Sequence, residues 1–199
     1  MTRTQWAVVG GLMLFVLIIF GILLFQLRVP ESPSLSPPPP FLLNEAAQAR
    51  TVFPIAQQEA LSWQQDAQFI SAGIVWDDLG PGGILKRDRW TFQFVSPSQQ
   101  QMVIIRVRDS KAQRLRTALL PNRLPALSLD QWQVSSTQAL QTWWEQGGGD
   151  FVQKHPYVSI SLKLRLEPGG ARPVWVVAGS SSGSHWIIQL DSSSGTVLQ

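Results

Sequence analysis

The chain has 199 residues, 16 Lys and Arg against 13 Asp and Glu, nine tryptophans and no cysteine. Without cysteine there is no disulfide and no thiolate metal site, which argues against a small secreted scaffold stapled by disulfides. Leaving out Arg3 and Arg28 gives 14 basic and 13 acidic residues; no Lys/Arg cluster forms a phosphate-binding stripe, so nucleic acid is not an expected partner.

From the N-terminus, Trp6 to Leu27 is an apolar run without a charge, bounded by Arg3 and Arg28. About 20 apolar residues span a hydrocarbon core of ~30 Å. A cleaved signal peptide would have a shorter apolar region and end in small residues, whereas this run ends Leu23-Leu24-Phe25-Gln26-Leu27. The expectation is a transmembrane anchor over residues 1–28 that meets the lipid bilayer through residues 6–27. The short N-terminus would be cytoplasmic and the C-terminal part extracytoplasmic, in a single-pass cell-membrane protein. Ala7 and Gly11 have the small-xxx-small spacing that can join two helices, a spacing also ordinary in membrane helices. Residues 29–43, with Pro37 to Pro40 in succession, read as a linker in extended polyproline conformation.

Beyond the linker the chain reads as two copies of one unit, 44–120 and 124–199. The predicted fold is α+β, each unit having one helix packed on a three-stranded antiparallel sheet. In the first helix Val52, Phe53, Ala56, Ala60, Trp63, Ala67 and Ile70 fall on one stripe. A shift of 80 residues places Trp132, Ser136, Leu140, Trp143 and Gly147 at equivalent positions. Ser135 and Gln138 have capping-box spacing, and Gly147-Gly148-Gly149 should end that helix. Strands are predicted at 69–76, 90–95 and 102–107, then at 157–166, 174–178 and 185–190, by their alternation of apolar and polar residues. A shift of 82 aligns the two hairpins, Phe92 with Val174 and Ile105 with Ile187. The basic stretch from Arg106 to Arg116 is broken by Val107, Asp109 and Leu115. It reads as a solvated strand face and turn, with attraction to anionic lipid headgroups as the alternative.

The second copy ends Val174-Trp175-Val176-Val177, then Trp186 to Asp191, then Ser192-Ser193-Ser194-Gly195-Thr196-Val197-Leu198. A tryptophan strand, a second strand and Asp-x-x-x-Gly-x-Val-Leu resemble the C-terminal half of a PepSY domain. The segments Glu59-Ala60-Leu61 and Gln138-Ala139-Leu140 suit that family's helix. Over residues 50–199 the chain is similar to bacterial membrane proteins with tandem PepSY-like, cystatin-like domains outside the cell. Asp109 to Leu115 in the first copy lacks the glycine. The resemblance implies a non-catalytic protein that binds or restrains another envelope protein, peptidases among them; the alternatives are a structural scaffold subunit of a membrane complex and a hydrolase using Ser181 or a histidine. It carries over no functional residue.

Catalytic chemistry has little support. His155 and His185 have no acidic neighbour at metal-ligand spacing. Gly179-Ser180-Ser181-Ser182-Gly183 matches the nucleophile-elbow pattern, but that motif needs a strand-turn-helix context, and both flanks here read as strands. Asp77-Asp78 precedes a Gly/Pro turn with too few oxygen ligands for a calcium loop. No P-loop or Rossmann glycine pattern occurs. The expectation is therefore no enzyme activity, no cofactor and no metal. Of the tryptophans, Trp6 suits the membrane boundary. Trp63, Trp90, Trp132, Trp143, Trp175 and Trp186 fall at predicted core or half-buried positions. Trp76 and Trp144 are the candidates for partner binding, since exposed tryptophan anchors interfaces; packing between the two units would also account for them.

Overall fold

The computed structural model describes residues 37–79, 86–87, 89–169 and 172–198. The predicted anchor over residues 6–27 lies outside them. Among the described residues no helix is long and apolar enough to cross a membrane. This corrects the expected location as a single-pass membrane protein.

Helix α1 spans Pro40–Trp63. Its first residue is a proline, whose missing N–H is one of those a helix start leaves unbonded in any case and whose fixed φ suits the first turn. The predicted linker thus ends at Pro39 rather than at residue 43. Leu42, Ala46, Ala49, Phe53, Ala56 and Ala60 are buried at spacings of three and four, the stripe of a helix lying on a core. The connection to the sheet is short: Gln64 turns extended, and its N–H still bonds the Ala60 carbonyl at 2.9 Å.

The strands are β1 (Gln68–Leu79), β2 (Lys86–Arg87), β3 (Thr91–Ser96), β4 (Gln101–Arg108), β5 (Lys111–Leu119), β6 (Val158–Leu166), β7 (Pro173–Ser181) and β8 (Ser184–Asp191). They form one antiparallel sheet in the order β5-β4-β3-β1-β6-β7-β8, with β2 paired to β1. This corrects the expected fold of two units with a three-stranded sheet each. The individual strands form close to where alternation placed them, but β1 and β6 pair with each other, Ala72 opposite Leu164, Ile74 opposite Leu162 and Trp76 opposite Ile160. Two separate sheets would each leave an edge of unbonded backbone groups beside the other, and pairing removes both edges.

Residues Ser36 to Gln199 fall in one compact unit. The last strand of the first half, β5, lies in the basic stretch. It joins β4 through Asp109-Ser110, both at positive φ (50° and 58°), as a two-residue hairpin turn requires. Its charged side chains suit an exposed sheet edge, and Arg114 pairs with Glu59 of α1.

From β5 the chain crosses to the second half through residues 120–126, and the Leu127 N–H donates to the Phe69 carbonyl at 2.7 Å. After a turn of 3-10 helix at Leu129–Gln131, helix α2 spans Ser136–Trp143. Ser135 and Gln138 form the predicted capping box. Trp144–Gly148 makes a kinked turn with Gly147 at φ 109°, and helix α3 (Gly149–Lys154) follows at once. The glycines end α2 as expected, but a further short helix starts within them.

Helix α1 packs on β1, β3, β4 and β5, α2 packs on β7 and β8, and the two helices touch each other. All the helix packing is therefore on one face, over one core. Phe53 meets Phe69 at 4.9 Å, Phe92 at 5.7 Å and Trp132 at 5.8 Å between ring centroids, and Trp90 meets Trp175 at 6.4 Å. The expected equivalence of Trp63 and Trp143 does not hold, since Trp143 is fully buried and Trp63 only partly so. Trp90 and Trp175 play the matching parts: their indole N–H groups donate to the carbonyls of Glu45 and Val134, at 2.8 and 3.0 Å.

Candidate functional site

Neither tryptophan expected at a binding surface lies on one. Trp76 is wholly buried in β1 and its indole N–H donates to Glu45 Oε2 at 2.8 Å. Trp144 is 4 % exposed and packs edge-on against Trp143, 6.2 Å between centroids. Trp76 shares the face of Ala72 and Ile74, all three pointing at the helices. Trp144 is covered because the chain folds back after Gly147: a Cβ on Gly149 would stand 2.7 Å from its indole nitrogen. Among the described tryptophans the exposed one is Trp186, at 42 %, which lies over Gly147.

The residues considered for catalysis are dispersed in structural roles. Ser181 donates to the Pro156 carbonyl at 3.0 Å, in a strand that enters a hairpin rather than a helix. His155 Nδ1 lies 2.9 Å from the Phe151 carbonyl at the end of α3. His185 pairs with Ser180 across the last hairpin. Asp77 accepts from Ser159 Oγ at 2.7 Å. Among the described residues no three His, Asp or Glu side chains gather to hold a metal ion.

The distinctive surface is the sheet face turned away from the helices. Its composition follows from strand alternation. Where Ala72, Ile74, Phe92, Ile105, Leu162 and Leu164 point to the core, the residues between them point the other way. Register then sets them in rows. Arg106 lies opposite Thr91, Thr91 opposite Gly73 and Gly73 opposite Lys163. In the adjoining row Ile104, Gln93, Ser71 and Arg165 follow one another. The middle of both rows is small, Gly73 and Ser71, while the flanks carry long side chains.

The face is consequently recessed along its centre. A hollow of about 230 Å³ is lined by Ser71, Gly73, Val75, Arg89, Thr91, Gln93, Ser161 and Lys163, among others. It shares Ser71, Gln93 and Lys163 with a second hollow of about 440 Å³ that runs past Arg165 to Leu124 and Pro125. Leu124 and Pro125 also border a third, of about 270 Å³, between the connection 120–126 and the ends of β1 and β3.

Along the hollows the charge is mostly basic: Asp77, beyond Val75 on the same face, is engaged by Ser159 Oγ at 2.7 Å and borders neither hollow. Among the described residues, no ion pair engages Arg89, Arg106, Lys163 or Arg165. Arg106 Nε is buried without a hydrogen-bond partner. A guanidinium cannot shed its proton to relieve that cost. The acidic groups at the margin are already engaged. Glu167 pairs with Arg172 at 3.2 Å, and Asp191 lies 3.9 Å from the same guanidinium. The backbone N–H of Ser194, then that of Ser193 and the charge of Arg172, hold the Asp191 carboxyl below its usual value, against a smaller opposing effect of burial. Sequence reasoning on clusters passed over the cations because they are far apart in the chain, Arg89 just ahead of β3, Arg106 on β4 and Lys163 and Arg165 on β6; the signal was the polar half of each alternation.

No family model matches the chain, and no curated protein matches it. Among solved structures, the fold is similar to that of a "putative lipoprotein" from Clostridium difficile 630. The identity is 15 % and the TM-score 0.50, with 74 % of this chain and 90 % of that one covered. At that identity the likeness is one of fold.

Proposed function

We propose that this chain is an envelope-associated, non-catalytic binding or regulatory protein acting on another envelope protein, with peptidases among the candidate partners. The observation that carries this reading is the sheet face that none of the described helices covers. Burying a sheet on one side only is common, but an open face normally carries charges of both signs that solvate it. Here it is recessed along its centre, and its cations Arg89, Arg106, Lys163 and Arg165 have no carboxylate partner among the described residues. The description of the Clostridium difficile protein as a lipoprotein supports the envelope association. The PepSY-like resemblance supports a binding role in preference to a catalytic one.

A photo-crosslinking residue placed in the full-length chain in cells tests this. At Gln93, on the open face, it should give a discrete adduct with an envelope protein. At Gln57, on the exposed side of α1, it should not. Equal adducts at both positions, or none at Gln93, would remove the reading.

A further inference from the structure

We infer that the recess takes an extended acidic segment of the partner protein, its alternate Asp or Glu side chains directed onto Arg106, Lys163 and Arg165. The inference rests on the binding reading above and adds the chemistry of what is bound. The two connected hollows follow β1 from Val75 to Ile70. At about 3.3 Å per residue that length is about 17 Å, enough for about five residues of extended chain. An extended segment presents every second side chain to the sheet, which suits a floor of small residues flanked by cations. Gly73 gives the floor its depth, because it has no side chain on the open side.

The charges favour carboxylates. Arg106 and Arg165 can each grip a carboxylate with two parallel N–H donors, while Lys163 acts as a point charge. A membrane surface of anionic headgroups would supply the same charge but fits less well. A flat surface touches the rim of a recess, while Ser71 on its floor is only 5 % exposed.

The test uses the full-length chain and a short fluorescent peptide with glutamate at alternate positions, read by anisotropy. Its glutamine counterpart and vesicles containing phosphatidylglycerol serve as comparisons. The glutamate peptide should bind and the glutamine peptide should not. Lys163→Glu should weaken binding roughly tenfold or more, the loss expected of one charge-assisted contact. Gly73→Val should weaken it similarly by filling the recess without altering charge. This variant should still fold, since a Cβ at Gly73 would stand 3.4 Å from the nearest atom, Leu162 O, and valine favours strands.

Equal binding of both peptides, or affinity unchanged in both variants, overturns the inference. So does binding seen only to the vesicles and abolished by Lys163→Glu, which would assign the face to lipid. If the Gln93 adduct persists in cells while the glutamate peptide fails, the binding reading stands and the acidic chemistry falls. If both fail, the two fall together.

Discussion

At the scale of single residues, the tryptophans act as struts between helices and sheet. Trp143 is fully buried and donates its indole N–H to the Trp186 carbonyl at 3.0 Å. A Cβ on Gly148 would come within 2.5 Å of its ring, and one on Gly179 within 2.7 Å. Trp143→Ala should therefore cost about 3–5 kcal/mol in urea denaturation. Gly179→Ala should also destabilise, by overpacking against the same ring. Sequence spacing identified Trp143 as core but misplaced Trp144. Neighbours on a helix point about 100° apart, so an outward Trp144 was the natural reading. The kink at Gly147 and the turn into α3 cover it, and no local pattern announces that closure.

Asp191 gives a pH-dependent prediction at the same scale. Its carboxylate accepts from the Ser193 and Ser194 N–H groups at 2.7 and 2.9 Å, and its pKa is lowered from the ordinary 3.8. A carboxyl depressed by folding stabilises the folded state above 3.8, and that contribution is lost as pH falls from there through the folded value. Asp191→Asn should lower the melting temperature near neutral pH, and the difference from the parent chain should shrink on acidification below about pH 4. A difference that stays constant across that range would show that the charge of Asp191 is not what stabilises the turn.

At the scale of elements, the Asp-x-x-x-Gly-x-Val-Leu pattern has a visible mechanical basis. Asp191 organises the turn, Gly195 takes φ 77°, and the chain returns so that Val197 bridges Leu190 and the Leu198 N–H bonds the Gln189 carbonyl at 2.8 Å. The end of β8 is thereby covered, a common treatment of an edge strand. Capping is a second local device: Ser135→Ala should cost about 1 kcal/mol, measured by thermal melting. Both devices were legible in sequence because each is complete within a few residues. The strands were legible for the same reason, by their period of two. The start of α1 at Pro40 was not, because four prolines in succession read as a spacer, and the buried Leu42 is explained only by the sheet beneath it.

For the whole molecule, the decisive contact is the pairing of β1 with β6. It joins residues about 90 positions apart in the chain, such as Ala72 and Leu164, and no local pattern encodes it. The repeat reading therefore found the strands and missed the single sheet. One sheet over one core should unfold in a single cooperative transition. Leu162→Ala, at the seam opposite Ile74, should cost about 2–5 kcal/mol and shift fluorescence and circular dichroism transitions together. Two separated transitions would return the molecule to independent halves. The open face takes its rows only through this seam, which sets Lys163 and Arg165 of one half beside Gly73, Thr91 and Arg106 of the other.

The most direct measurement of the central claim is in-cell crosslinking from Gln93 in the doubly reversed variant Lys163→Glu/Arg165→Glu, with melting followed on the same protein. The claim that the basic open face engages the partner predicts loss of the adduct at an unchanged melting temperature. An undiminished adduct from the folded variant would contradict it.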